Sequence, residues 1–251
     1  MMKNLQADIV KILLRRRTWN YLRYAHSAAA LDFITSRCLL DRIENALVVG
    51  VGNGLAEMLH AARYPFIHFT FTDHSAASHS VKAAKKFQQD HNISNVSWAE
   101  YDILDESIKE NQYDIVYSIE VLEHIKDFRL AAANMVRASR KYVFCLVPFA
   151  EETINSNPQK RRRAWEKHQH YVCGFDLKTL SGIFPEIIKA SGCYWTESGA
   201  LFRSKLHTLS DGQINDSISR LVAEAEFDLL RNEIPARQSD AAGIWIVAQK
   251  P

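Results

Sequence analysis

Three ionisable side chains crowd the segment "IEVLEHIKD" (119–127): Glu120, Glu123 and His124. They follow the apolar run "YDIVYS" (113–118), which reads as a buried strand, so they stand where that strand leaves the core. Spacings of three and four residues bring all three to one side of a helical turn. Two carboxylates in one cleft raise each other's pKa unless a cation or a shared proton relieves them. Such a set can be a divalent-metal site, a general acid/base pair, or a charged helix start with a packed histidine. Further histidines come from "KHQHYVCGFD", where His168 and His170 follow the fifth strand-like run and can reach the same edge.

The second chemical signal is the turn "VVGVGNG", with Gly50, Gly52 and Gly54 between an apolar strand and the helical "LAEMLHAAR" (55–63). A ligand that must approach the backbone closely needs residues without side chains there. Asp73 ends the next strand-like run, "FIHFTFTD", where a carboxylate can accept both hydroxyls of a ribose. Asp102 ends the third, in "AEYDIL". A dinucleotide fingerprint would read GxGxxG. Here the third glycine comes one residue early and Leu55 stands in its place, which argues against a dinucleotide.

These residues are carried by strand-like runs alternating with helical ones. Strands are expected within 45–54, 66–73, 96–102, 113–118 and 141–149, and later within "EIIKASGCYWTES" and "AAGIWIVAQK". Helices are expected at 55–63, 80–91, 128–139 and in "DLKTLSGIF". The alternation predicts an α/β, Rossmann-like, doubly wound and mostly parallel sheet covered on both faces. Two helical segments stand outside the alternation. One spans about residues 4–42. The other is "SDGQINDSISRLVAEAEFDLLRNEIP" (210–235), whose Ile214, Ile218, Leu221, Val222, Ala225 and Leu229 share a face. Ser210 with Gln213 reads as a capping box, and Pro235 as the stop. The expected organisation is a helical cap segment at 1–44 and a main domain at 45–251 with a helical insertion at about 208–236. Both additions are candidate lids over the site, with plain packing helices as the alternative.

Composition narrows the class. A chain of 251 residues, 47% hydrophobic and 24% charged, suits a soluble globular domain with a sizeable core. A net charge of +2 does not by itself imply a polyanionic partner. The four cysteines are far apart and form no CxxC pair, which argues against a zinc ribbon and a disulfide framework. The first apolar run is broken by Lys11 and followed by Arg15, Arg16 and Arg17, too short for a signal-peptide core or a membrane span. A cytoplasmic protein without a membrane partner is expected. The runs Arg15–Arg17 and Lys160–Arg163 read as solvated helix faces, with phosphate or RNA binding as the alternative. Trp19, Tyr21, Arg23 and Tyr24 are either pocket or core, and Arg203 and His207 are candidate substrate contacts.

The ordered series "LVVGVGNG", "FTFTDHS", "AEYDIL", "YDIVYSIEVLEHI" and "YVFCLVPF" resembles the class I S-adenosylmethionine-dependent methyltransferases over residues 45–150. The resemblance implies a seven-stranded sheet with an antiparallel last strand, a role that "AAGIWIVAQK" suits, and S-adenosyl-L-methionine as cofactor. It implies Gly50, Gly52 and Gly54 along the methionine and ribose, and Asp73, with His74 beside it, at the ribose hydroxyls. It puts Asp102 and Ile103 at the adenine, and Ser118 and Ile119 beside the methionine. One departure is Val48, where the family often carries an acid. Methyl transfer needs an oriented nucleophile and, for a hydroxyl, removal of its proton. Glu120, Glu123, His124 and the distant His170 resemble the magnesium- or manganese-binding set of the small-RNA 3′-terminal 2′-O-methyltransferases. A similar ExxEH occurs in the ubiquinone-pathway O-methyltransferases. The implied activity is O-methylation of a small-molecule hydroxyl with His124 and Glu120 catalytic. Whether Mg²⁺ or Mn²⁺ sits on Glu120, Glu123, His124 and His170 stays open at this point. The alternatives are an RNA 2′-O-methyltransferase, and a cyclase or pseudoenzyme on the same fold.

Overall fold

The computed structural model describes residues 20–37, 42–52, 54–74, 81–105, 108–193 and 243–251, with scattered positions between 208 and 223. Among the described residues, the helices of five residues or more are α1 (Asn20–Arg37), α2 (Leu55–Arg63), α3 (Lys82–Asp90), α4 (Phe128–Ala138), α5 (Glu152–Ser156), α6 (Pro158–His168) and α7 (Leu177–Ser181). The strands are β1 (Asn45–Val49), β2 (His68–Asp73), β3 (Val96–Glu100), β4 (Tyr113–Ile119), β5 (Ser139–Pro148), β6 (Ile187–Cys193) and β7 (Gly243–Gln249). They form one seven-stranded sheet in the order β3-β2-β1-β4-β5-β7-β6. The pairs from β3 through to β5 are parallel, and β7 runs antiparallel to both β5 and β6. This is the doubly wound, mostly parallel sheet expected, with "GIWIVAQ" as its antiparallel strand.

The apolar runs become strands because both of their faces are covered. Ala46, Val48, Ile115, Tyr117, Phe144 and Leu146 point to one core. Their neighbours Leu47, Val49, Val116, Val143, Cys145 and Val147 point to the other. Helices α1, α2 and α3 close the first side, where the small residues Ala28, Ala29 and Ala30 are fully buried. Helix α4 closes the second through Ala131, Ala132 and Met135. The buried imidazole of His60 ties this first layer together: Ser27 Oγ lies 2.8 Å from its Nε2 and Tyr117 OH 3.1 Å from its Nδ1.

Helices α5 and α6, between β5 and β6, are additions that the strand–helix alternation did not show. Residues 212–214 are helical and Ser210 and Gln213 form the expected capping box, with Ser210 N donating to Gln213 Oε1 at 2.9 Å. Ile214 is buried, whereas Ile218, Leu221, Val222, Ala225, Leu229 and Pro235 lie outside the described residues. No described helix is long and apolar enough to cross a membrane.

Candidate active site

The strand order reverses between β1 and β4, and in open α/β sheets ligands bind at the carboxyl ends of such strands. The glycine turn leaves β1 at this point and the Glu/His segment leaves β4 beside it. Gly50, Gly52 and Gly54 all adopt left-handed backbone, with φ of 67°, 58° and 70°. Their physical reasons differ. A Cβ on Gly50 would lie 2.7 Å from Val121 Cγ2, and one on Gly54 would lie 2.7 Å from Trp98 Cη2. A Cβ on Gly52 would meet nothing among the described residues within 4 Å. Gly50 and Gly54 are therefore small for packing, while Gly52 faces open space.

Asp73 fixes the shape of that turn. Its Oδ2 accepts from Gly52 N at 2.7 Å and its Oδ1 accepts from the N–H of exposed His74 at 2.8 Å. Carboxylate oxygens carry further lone pairs, so two neighbouring hydroxyls can still be received there. Asp102 is exposed and closes an Asx turn, its Oδ1 accepting from Leu104 N at 2.9 Å. Ile103 is buried, and Asn134 of α4 holds its carbonyl through Nδ2 at 2.7 Å. The side chain of Ser118 turns into the α4 interface, where its hydroxyl lies 3.8 Å from Met135 Sδ, and Ile119 is half-buried.

Beyond β4 the backbone departs from the helical turn expected over Glu120, Glu123 and His124. Glu120 has φ 56°, and its N–H donates to Leu146 O at 2.7 Å, so the chain still follows β5 at this residue. Only Leu122–His124 form a turn, of 3₁₀ type. The turn buries Glu123 completely and leaves His124 exposed. Glu123 sits near Cys145, whose thiol pKa is raised first by burial and second by the Glu123 charge. Tyr171 N donates to Glu123 O at 2.8 Å and thereby docks the "HQHY" segment onto this turn. As a result Glu123, His124 and His170 each offer a ligand atom within 4.8 Å of the others. The His124 and His170 rings stand edge to face at 4.5 Å, with His168 5.1 Å from His170. Glu120 is not part of this group.

Sequence reasoning passed over Val121 and Trp98, which shape the glycine turn, and Asn134, which anchors the loop after β3. It also passed over Glu57, a buried carboxylate in the first turn of α2 whose charge helps hold the Tyr117 phenol well above its usual pKa, after the larger effect of burial. Lone polar residues on the apolar stripes "LAEMLH" and "AAANMV" were the available signals for Glu57 and Asn134. Trp19, Arg15 to Arg17, Arg203 and His207 lie outside the described residues, as do the side chains of Tyr21, Arg23 and Tyr24.

Residues 47–141 match the family model of a methyltransferase domain. No curated protein matches the sequence. Among solved structures, a proposed sarcosine dimethylglycine methyltransferase from Galdieria sulphuraria is similar with a TM-score of 0.60 at 11% identity, over 90% of this chain and 84% of that one. The [4+2]-cyclase SpnF is similar with a TM-score of 0.57 at 17% identity, over 89% and 82% of the two chains. Coclaurine N-methyltransferase, bound to N-methylheliamine and S-adenosylhomocysteine, gives a TM-score of 0.55 at 16% identity, over 88% and 71%. These likenesses show a Rossmann-like fold of the class I methyltransferase type, in which residues 47–141 are similar to a methyltransferase domain.

Proposed function

We propose that this methyltransferase-fold protein transfers a methyl group from S-adenosylmethionine to a hydroxyl oxygen of a small molecule. The observation that carries the reading is the meeting, at one strand edge, of an open glycine turn held by Asp73 and the Glu123–His124–His170 group. The turn fits the cofactor, because Gly52 leaves open space where a side chain would stand. Asp73 would receive the ribose hydroxyls, and Asp102 and Ile103 would flank the adenine. With Val48 in the place of the usual acid, buried Glu57 is the acid we assign to the methionine ammonium. Bound there, the cofactor supplies an already activated methyl group, so the protein's task is to orient the acceptor and take its proton.

Exposed His124 is the residue we assign to that proton, with Glu123 and His170 orienting its ring; Glu120, at the mouth of the turn, borders the acceptor. One carboxylate and two imidazoles suit Mn²⁺ better than Mg²⁺, which prefers an all-oxygen shell. A divalent ion held there would lower the pKa of a catechol or vicinal diol hydroxyl. The fold of the cyclase SpnF supports a second reading, a cofactor-binding protein that catalyses a different reaction. Methyl-labelled S-adenosylmethionine, offered with panels of alcohols, catechols and amines with and without Mn²⁺, separates these readings. Label should enter hydroxyls, and His124→Ala should lower kcat by about 100-fold or more while leaving S-adenosylhomocysteine affinity unchanged. Label entering only amines would refute the hydroxyl assignment. Bound cofactor with no turnover on any panel would favour the second reading.

A further inference from the structure

Among the described residues, a cavity of about 330 Å³ opens between the first turn of α4, helix α5 and the segment from Val172 to Gly182. Its walls follow from local bonds. Asn155 of α5 accepts from Cys173 N through Oδ1 and donates to Gly174 O through Nδ2, both at 2.8 Å, and so holds α5 against that segment. Asp127 and Asp176 cap α4 and α7, accepting from Leu130 N at 3.1 Å and from Thr179 N at 2.7 Å. Both helix starts then line the cavity, α4 with Phe128 and Arg129, α7 with Lys178 and Thr179. The lining includes neither the glycine turn nor Glu123, His124 or His170.

The cavity has an apolar side and a charged rim. Phe128 and Val172 are half-buried, and Phe128 packs edge to face on buried Phe175 at 5.1 Å. Arg129 lies over the Phe128 ring, with its guanidinium carbon 5.5 Å from the centroid. Among the described residues no carboxylate pairs with Arg129, whereas Lys178 pairs with Glu152 at 3.1 Å. Two cations and one carboxylate leave the rim one positive charge in excess. The Thr179 hydroxyl, on the same lining, adds a hydrogen-bond donor.

We propose that this cavity binds a small aromatic monocarboxylate, with its ring on Phe128 and Val172 and its carboxylate between Arg129 and Lys178. The volume stands at the small end of ligand sites, which span about 300–1,000 Å³. A planar guanidinium can hold a carboxylate through two parallel N–H bonds, and aromatic rings pack favourably edge to face or offset against a phenylalanine. One excess positive charge suits a monoanion. A phosphate monoester carries about 1.5–2 negative charges, which exceeds the excess and sets it against Glu152. The wall from Val172 to Gly174 follows Tyr171, whose N–H bonds Glu123 O at 2.8 Å, so the occupant adjoins the loop that docks on the candidate active site. The site is separate from those of the cofactor and the acceptor, and it depends on neither the methyl-transfer nor the hydroxyl reading.

The test is titration of the full chain with phenylacetate, followed by backbone amide NMR shifts, with phenylacetamide as its uncharged twin. Phenylacetate should bind with a Kd of about 1 mM or tighter, in keeping with its size, and phenylacetamide at least about fivefold more weakly. The shifts should centre on Phe128, Val172 and Thr179, and saturating S-adenosylhomocysteine should leave them unchanged. Arg129→Gln should weaken phenylacetate about three- to tenfold and leave phenylacetamide unaltered. Glu152→Gln removes the competing carboxylate and should tighten phenylacetate about two- to threefold. Both residues are exposed, so far-UV circular dichroism should match the wild type. No binding up to about 10 mM, equal binding of acid and amide, shifts centred on Gly52 or His124, or an Arg129→Gln variant that binds like wild type would each overturn the proposal. Phenylacetate binding at the cavity without any binding of S-adenosylhomocysteine supports the proposal and overturns the methyltransferase reading alone.

Discussion

Acid should unfold this protein through two histidines of its first helical layer. His60 is fully buried between Ser27 and Tyr117, and its pKa is lowered from 6.5 to about 3, by burial first and by Arg63 second, with Asp32 opposing. His26 is also buried, its Nδ1 has no hydrogen-bond partner among the described residues, and burial lowers its pKa to about 4. Both are neutral in the folded chain, while the unfolded chain binds protons below the ordinary value of 6.5. The unfolded state then holds more protons, so stability rises with pH. Their contribution is complete above the unfolded pKa and is lost as pH falls from 6.5 toward about 4 for His26 and about 3 for His60. At about 1.4 kcal/mol per pH unit, each costs about 3 kcal/mol by pH ~4.5. Together that is comparable to the lower end of whole-domain stabilities, about 5 kcal/mol. His60→Gln keeps a donor and an acceptor for Ser27 and Tyr117 but cannot titrate. Urea unfolding of both proteins at pH ~7.5 and ~4.5 cancels the carboxylates they share, and the wild type should lose about 3 kcal/mol more than the variant. Parallel losses would refute the reasoning, because His60 would then be protonated, or reached by water, in the folded state.

The glycine turn makes a paired prediction. Gly54→Ala forces a Cβ within 2.7 Å of Trp98 at a φ of 70° and should cost about 2–4 kcal/mol in thermal or urea unfolding. Gly52→Ala, with open space around it, should cost only the left-handed strain of about 1–2 kcal/mol; equal losses would contradict the separation of packing from ligand access. Glu120 holds φ 56°, so Glu120→Gly should raise stability by up to about 1 kcal/mol while lowering turnover, and a fall in Tm would show that the carboxylate holds the fold rather than serves the site.

The strands were legible because burial on both faces writes continuous apolar runs, as in "DIVYS" and "VFCLVP". The turn at Gly50–Gly54 was legible because left-handed backbone restricts residue type, all three glycines having positive φ. The capping box at Ser210 and Gln213 was legible because its two bonds are local. What escaped depends on distant partners. Glu120 leaves the helical spacing because its N–H is claimed by Leu146 across the sheet. Gly54 is explained by Trp98, and the Ser27–His60–Tyr117 tie links residues far apart in sequence. Helix α6 carries no apolar periodicity at all, since it buries nothing; its charge run was legible as a solvated helix face, while the helix's bounds were not.

The central claim is most directly tested by calorimetric titration of S-adenosylhomocysteine into the wild type and Asp73→Ala in parallel. The account predicts one site per chain, weakened by about 10- to 100-fold in the variant through loss of a charged acceptor of about 1–3 kcal/mol. Absence of binding to the wild type, or equal affinity in both proteins, would contradict it.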